Sequence, residues 1–326
     1  MTKRSYIQYE DEHYLWLDKR VKKKEGSWAV ITMDFNLHFG TTQSEPTLYQ
    51  TYRKAKQTGR IKEAKTAAKT ASILVEKDYM KVAMIPDMHM PYHDEKAVMA
   101  ILNVVSDWQP DLLVQMGDLL DFYQISQFSR DPRSITMLGD DLYEAGQMLG
   151  KFRQAAPNAD IHWIKGNHEN RWDRHLVKNS AEFYALFEEN SFLRYMDIAE
   201  HNVQFHEYDY VHRGFQFTHG DIVRKFAGYA AKEMHTRSNM NGAMGHTHRM
   251  GMFRHTYREE KAFTFMECGH LYDIKHAGYI NGTPNWQQGA VMAEFWWPKE
   301  NHLEVFPHFL TTVDGATVHN GKKYVG

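Results

Sequence analysis

The stretch "KVAMIPDMHMPYHDEKAVMAILNVVSDWQPDLLVQMGD", residues 81–118, decides the fold. An apolar run, KVAMIP, ends on Asp87 and His89. An amphipathic stretch, EKAVMAILNVVSDW, follows, and a second apolar run, DLLVQMG, ends on Asp118. Buried-type strand, helix and buried-type strand make a βαβ unit, in which the helix carries the chain back so that the strands lie parallel. The pattern continues with a helix over 138–155 and a third strand, ADIHWI, which opens onto KGNHENRW (165–172). Residues 171–196 read as helix. From 203 onward VQFHEY, YVHRGFQFTHG, GAMGHTH, KAFTFMECGH, AVMAEFWWP and HLEVFPHF read mostly as strands. The expected fold is α/β, a mixed pair of sheets flanked by helices. The 18 Met residues and the FWW run are read as core filling.

What stands at the strand ends is the second signal. Taken alone, Asn167 is a helix cap, His168 a surface residue and Glu169 a partner for the positive end of a helix. Recurrence defeats that reading. Five strand ends deliver Asp87 and His89, Asp118 with Asp121 one turn later, Asn167 and His168, His219, and His246 with His248. Ligand sites in α/β folds lie at the carboxyl ends of strands, where these side chains can converge. The glycines before Asp118, Asn167 and His246, and after His219, are expected to let the backbone turn sharply.

This ordered set, D-x-H, G-D-x-x-D, G-N-H-E, H-G and G-H-x-H, resembles the calcineurin-like metallophosphoesterase superfamily over residues 87–248. The stretch NGTPNWQQGAV (281–291) is similar to its phage and prophage members. The resemblance implies a two-sheet αββα sandwich over 80–310. It also implies phosphoester hydrolysis at two metal ions about 3.5–4 Å apart. By the same resemblance Asp87, His89 and His248 hold the first ion, Asn167, His219 and His246 the second, and Asp118 bridges them. His168 protonates the leaving oxygen or stabilises transition-state charge, and Asp121 orients it. Glu169 is structural or stands behind the ligands. Mixed imidazole, carboxylate and amide-oxygen donors suit divalent transition ions, Mn first and Fe, Zn, Ni or Co as alternatives, over Ca or Mg.

The substrate is read from departures. Protein Ser/Thr phosphatases of this superfamily carry an Arg after G-D-x-x-D, where this chain has Phe122 and Tyr123, and a Gly after D-x-H, where it has Met90 and Pro91. A site without that clamp suits a monoanionic diester better than a dianionic monoester. Tyr92, Phe122, Tyr123 and Trp172 either stack on bases or pack in the core. Arg171 and Arg174 either grip phosphate or pair with nearby acids. Arg171, Arg174 and Tyr123 are the expected substrate-binding residues. His93, His175, His206, His212 and His270 match no motif position.

Residues 1–60 read as three helices, 9–24, 27–40 and 46–57, the last with Pro46 at its start. Helix, short polar turn and basic helix resemble a helix-turn-helix module in pattern. Arg53, Lys54 and Lys56 are then the expected DNA contacts, with Lys22, Lys23 and Lys24 next. Charge supports a division: residues 1–70 hold 14 Lys/Arg against 8 Asp/Glu, a balance of +6, and the rest 25 against 33, a balance of −8. A structural bundle or a self-associating one, making a homo-oligomer, is the other reading of this head. Residues 61–79 are expected as a helical connector, 80–310 as the metallophosphoesterase domain and 311–326 as a C-terminal tail. The single cysteine, Cys268, excludes an internal disulfide and a cysteine-based zinc site. No apolar run approaches the roughly 20 residues of a membrane span. The N-terminus lacks a signal-peptide core, so no membrane association and a cytoplasmic location are expected. The function expected is that of a DNA phosphodiesterase, a nuclease of phage type. The alternatives are a phosphomonoesterase on nucleotides or phosphoproteins, and a DNA-binding or scaffold protein with a vestigial metal site.

Overall fold

The apolar runs become parallel neighbours. Strands β1 (Tyr79–Ile85), β2 (Leu112–Gln115), β3 (Asp160–Ile164) and β4 (Val203–His206) pair in parallel in that order. β10 (Gly289–Lys299) and β11 (His302–Thr311) add antiparallel beside β1, completing a six-stranded sheet. Both faces of β1 and β2 are covered, which is why they read as continuous apolar runs. One face lies under helices α4 (Glu95–Trp108) and α5 (Leu138–Ala155), where Ile101, Val105 and Phe152 share a core with Leu113 and Trp163. α4 begins where the Asp94 side chain accepts the Ala97 N–H and ends at Gln109 in the left-handed region. This computed structural model describes residues 9–22, 27–39, 41–61, 78–127, 136–184, 190–257, 262–276 and 284–326.

The other face of that sheet packs on a second sheet of order β5-β6-β7-β9-β8. Its strands are β5 (Tyr210–His212), β6 (Phe215–Thr218), β7 (Asn241–Met244), β8 (Met250–Thr256) and β9 (Ala262–Cys268). Met84, Val114, Phe215, Phe217, Met266 and Phe295 interleave between the sheets. Helix α7 (Tyr229–Ser238) closes the outer face by setting Ala230, Ala231 and Met234 against Met244 and Phe265. The layers are therefore α, β, β, α, as the resemblance implied.

Two local expectations differ from the structure, and two elements had none. The helix expected over 171–196 is α6 (Asn170–Asn179), which stops at Ser180; a short helix, Ala181–Tyr184, and a 3-10 turn, Ser191–Tyr195, follow. α7 and β8 did not stand out in the sequence. Residues 311–326 are no free tail. β12 (Ala316–His319) and β13 (Lys322–Val325) form a hairpin that seats Tyr324 in the core beside α4, and the Tyr324 hydroxyl donates to Asp107 at 2.5 Å.

The chain divides into compact units at Lys77/Asp78. In the first, α1 (Asp11–Lys22), α2 (Trp28–Phe39) and α3 (Glu45–Gln57) enclose Leu17, Ile31, Phe35, Leu48 and Tyr52. Asn36 fixes the turn between α2 and α3: its amide donates to Gln43 O and accepts from Gln43 N and Thr41 Oγ1, all at 2.7–2.8 Å. Ser44 caps α3, whose Arg53, Lys54 and Lys56 are exposed. Lys22 pairs with Asp18 at 3.2 Å. Lys23, Lys24 and most of the expected connector (62–77) lie outside the described residues. Among the described residues no helix is long and apolar enough to cross a membrane.

Candidate metal centre

The loops after the strands hold their chemistry in strained backbone. Asp87, His89, Asp118, His246 and His248 all have positive φ, between 32° and 64°. Such non-glycine residues cost about 1–3 kcal/mol each and persist only where their surroundings dictate them. Here the surroundings are specific hydrogen bonds. His89 N donates to Asp118 O at 2.9 Å, and His246 N to Asp87 Oδ1 at 2.9 Å. The buried Glu169 carboxylate takes the N–H groups of Asp118, Leu120 and Gly166 at 2.8–3.0 Å. Gly117 and Gly220 make the expected turns at φ 93° and 89°. Gly166 and Gly245 serve close approach instead: a Cβ there would meet Asp118 Oδ1 at 2.2 Å and Asp87 Oδ2 at 2.4 Å.

All seven residues expected as ligands come together. Asp87, His89 and His248 offer ligand atoms within 4.8 Å of one another, and so do Asp118, His219 and His246. Asn167 Oδ1 joins the second group, 2.9 Å from His219 Nε2 and 2.7 Å from His246 Nδ1. Asp118 Oδ2 stands between the groups, 3.3 Å from His219 Nε2 and 3.8 Å from His89 Nε2. Met116 O lies 2.9 Å from His219 Nδ1, which fixes the ring and turns Nε2 toward the centre.

The electrostatics fit divalent cations. Burial raises Asp87 well above the usual carboxylate range, and the charge of Asp118 adds to the rise. Burial works the same way on Asp118, but His219, His168 and His89 around it hold its carboxyl well below that range. Burial would lower His219, yet Asp118 and Asp87 push it up to about 10. Burial lowers His89, takes His246 down to about 4 and holds His248 well below the usual value. Two buried carboxylates, which draw His219 toward its cationic form, beside His89, His246 and His248, which favour the neutral form, are a donor set in need of positive charge.

Next to this set, His168 Nδ1 lies 3.0 Å from Asp121 O and 3.3 Å from Asp121 Oδ2. Burial would lower His168, but Asp118 and Asp121 raise it above the usual value. Asp121 also approaches His89 Nδ1 at 3.3 Å, so it serves both imidazoles. Arg171 donates to Asp121 O at 2.8 Å and to Asp121 Oδ1 at 3.2 Å, and places its other nitrogen 3.0 Å from His168 Nε2. Of the two readings of Arg171, the geometry shows the pairing with an acid, at the edge of the centre. Arg174 is exposed and lines a cleft of about 740 Å³ together with Asn167, His219 and His246. Tyr123 is partly buried against Tyr92, 5.8 Å between rings. Phe122 is a core residue packed on Phe192, and Trp172, partly buried, packs against the same ring and donates its indole N–H to Ser191. Phe122 is therefore not available to stack on bases.

Sequence reasoning passed over His270, whose ring lies 5.2 Å from that of His248, and Trp286, 4.3 Å from it. His270 had a signal, since β9 runs into Cys-Gly-His, the same glycine-plus-ligand ending as the other strands. Trp286 is brought in by a loop, and its one signal was the stretch NGTPNWQQGAV in which it stands.

A family model for calcineurin-like phosphoesterases matches residues 80–259, more than half of the chain. The Gene 54 protein of Mycobacterium phage D29 is 28% identical over 221 residues, 64% of this chain and 86% of that protein. Its counterpart in Mycobacterium phage L5 is 27% identical over 226 residues, 65% and 88%. Among solved structures, the chain is similar to Vacuolar Protein Sorting 29 from Cryptosporidium parvum, with TM-score 0.38, 14% identity and coverage of 76% of this chain and 96% of that one. It is also similar to Yfce, a phosphoesterase from E. coli, with TM-score 0.29, 16% identity and coverage of 66% and 87%.

Proposed function

The chain belongs to the calcineurin-like phosphoesterase family, and we propose that within it the protein is a DNA phosphodiesterase working with two divalent transition-metal ions, Mn first among them. Asp87, His89 and His248 would hold one ion, Asn167, His219 and His246 the other, with Asp118 available to both. When bound, the pair supplies Lewis-acid charge on the phosphoryl oxygens and acidifies the attacking water. The rest falls to the chain. His168, oriented through Nδ1 by Asp121, gives the proton on Nε2 to the leaving oxygen as the bond from phosphorus to that oxygen breaks. Asp118 and Asp121 raise its proton affinity, which keeps that proton available near neutral pH. When His168 carries that proton, it and Arg171 Nη2, 3.0 Å away, are both donors, and an anionic substrate oxygen would accept from the two in place of the contact between them.

The observation that carries the diester reading is the residue after the G-D-x-x-D motif. Phe122 is 1% exposed and packs into the core, so that position brings no cation to a dianionic monoester. The exposed Arg53, Lys54 and Lys56 on α3 support DNA as the polymer, through a head of helix-turn-helix pattern. The phage relatives support a place in the host cytoplasm. One observation favours the second reading, a phosphomonoesterase on nucleotides or phosphoproteins: Arg171 reaches the edge of the centre from α6. Incubating the Mn-loaded protein with linear, circular and single-stranded DNA, beside p-nitrophenyl phosphate and its bis-ester, separates the two. Cleavage of DNA and of the bis-ester is expected; turnover of the monoester alone overturns the diester reading.

A further inference from the structure

One rim of the metal centre carries rings and cations that the chemistry above does not use. After His219-Gly220 the chain exposes Val223, Phe226 and Tyr229 by 51%, 50% and 58%. Phe226 and Tyr229 stand edge to face, 5.5 Å apart, and exposed Lys225 lies 5.2 Å from the Phe226 ring centre. The neighbouring acids are already engaged, Asp221 with Arg237 and Glu233 with Arg224. This lip is anchored to the ligand loops. Glu267 Oε1 accepts the N–H groups of Gly228 and Ala231 at 2.7 and 3.2 Å. Its other oxygen takes the hydroxyl of Thr247, which stands between His246 and His248. Arg249, next along from His248, donates to Arg224 O on the lip and, through Nε, to Asn285 O at 3.1 Å. Asn285 precedes Trp286, whose ring lies against His248. Rings and cations are thus tied by hydrogen bonds and ring contacts to the loops that carry the ligand residues.

We infer that this rim is a track for single-stranded DNA, with bases stacking on Trp286, Phe226 and Tyr229 and phosphates meeting Arg249 and Lys225; the inference rests on the diesterase reading above. Bases in a duplex stack on one another and present only their edges, so protruding rings find no face there. An unpaired strand offers every base face to such rings and its phosphates to the cations between them. The interleaved cations match a polyanion and do not suit an apolar protein partner.

The test uses the full-length, Mn-loaded chain and a fluorescent phosphorothioate oligothymidylate, which resists hydrolysis. Phe226→Ala and Tyr229→Ala are each expected to weaken binding at least about 5-fold, the lower end for loss of one stacked base. Lys225→Ala is expected to flatten the log–log salt dependence by about 0.7. Tyr195→Ala, which removes a ring 62% exposed on the 3-10 turn, should bind as wild type. If the wild type cleaves DNA while the ring variants bind the oligomer unchanged, the track is wrong and the diesterase reading stands. If the ring variants change only the mass seen by light scattering, the patch joins copies of the chain and the track is again wrong. A wild type that hydrolyses monoesters alone removes the reading on which the track rests.

Discussion

At Glu169 one carboxylate gathers the N–H groups of Asp118, Leu120 and Gly166, and so ties together the loops that carry Asp118 and Asn167. A glutamine has one acceptor oxygen and would turn an NH2 toward at least one of those donors. Glu169→Gln should therefore cost about 1–3 kcal/mol of stability, the penalty for a buried donor left without a partner. Thermal unfolding measures it, and an unchanged midpoint would contradict the role. His168→Asn tests the proton donor. It should keep both metal ions and lower kcat by roughly 10²–10⁴-fold, the range for a lost general acid. Metal analysis beside steady-state kinetics checks both halves, and a fully active variant would remove His168 from the reaction. The sequence announced these residues because each stands in a short motif at a strand end. It did not announce why Gly166 and Gly245 are glycines, since the reason is a carboxylate on another strand.

Among the elements, the edge formed by β3, β4 and β5 holds a titratable stack away from the metal ligands. His162 Nδ1 lies 2.7 Å from His206 Nε2, and the His162 ring stacks on Tyr210 at 4.1 Å. Burial, then the charge of His206, pushes His162 down to about 4 from 6.5. Between those values the unfolded chain binds the proton and the folded chain does not, so stability falls as pH drops through that window. Comparing unfolding midpoints at pH 7 and pH 5, His162→Phe should lose less than wild type; an equal loss would place the acid sensitivity elsewhere. The elements legible in the sequence were those with strong periodicity: β1 to β3 as apolar runs, and α4 and α5 as amphipathic helices. α7 was not, because small Ala230 and Ala231 supply much of its buried face. Nor was β8, an edge strand exposed along much of its length. The last hairpin did carry its signal. Asn320-Gly321, both at positive φ, joins β12 to β13 in the manner favoured for two-residue turns.

For the whole molecule, the break at Lys77/Asp78 separates a basic helical head from the unit that bears the metal centre. Replacing Arg53, Lys54 and Lys56 together with Ala tests the head as a DNA reader without removing it. Each lost phosphate contact should lower the log–log salt slope for duplex DNA by about 0.9. Hydrolysis of the small bis-ester serves as the comparison, since that substrate needs only the metal centre. An unchanged slope, with a changed mass by light scattering, would assign the head to self-association instead. Counting bound Mn per chain by mass spectrometry, after loading and desalting, tests whether a pair of ions is held with Asp118 common to both. Two ions are expected for the wild type and fewer for Asp118→Asn, whose amide lacks the bridging charge. A wild type that retains one ion or none, or an Asp118→Asn variant that retains two, would contradict the shared pair.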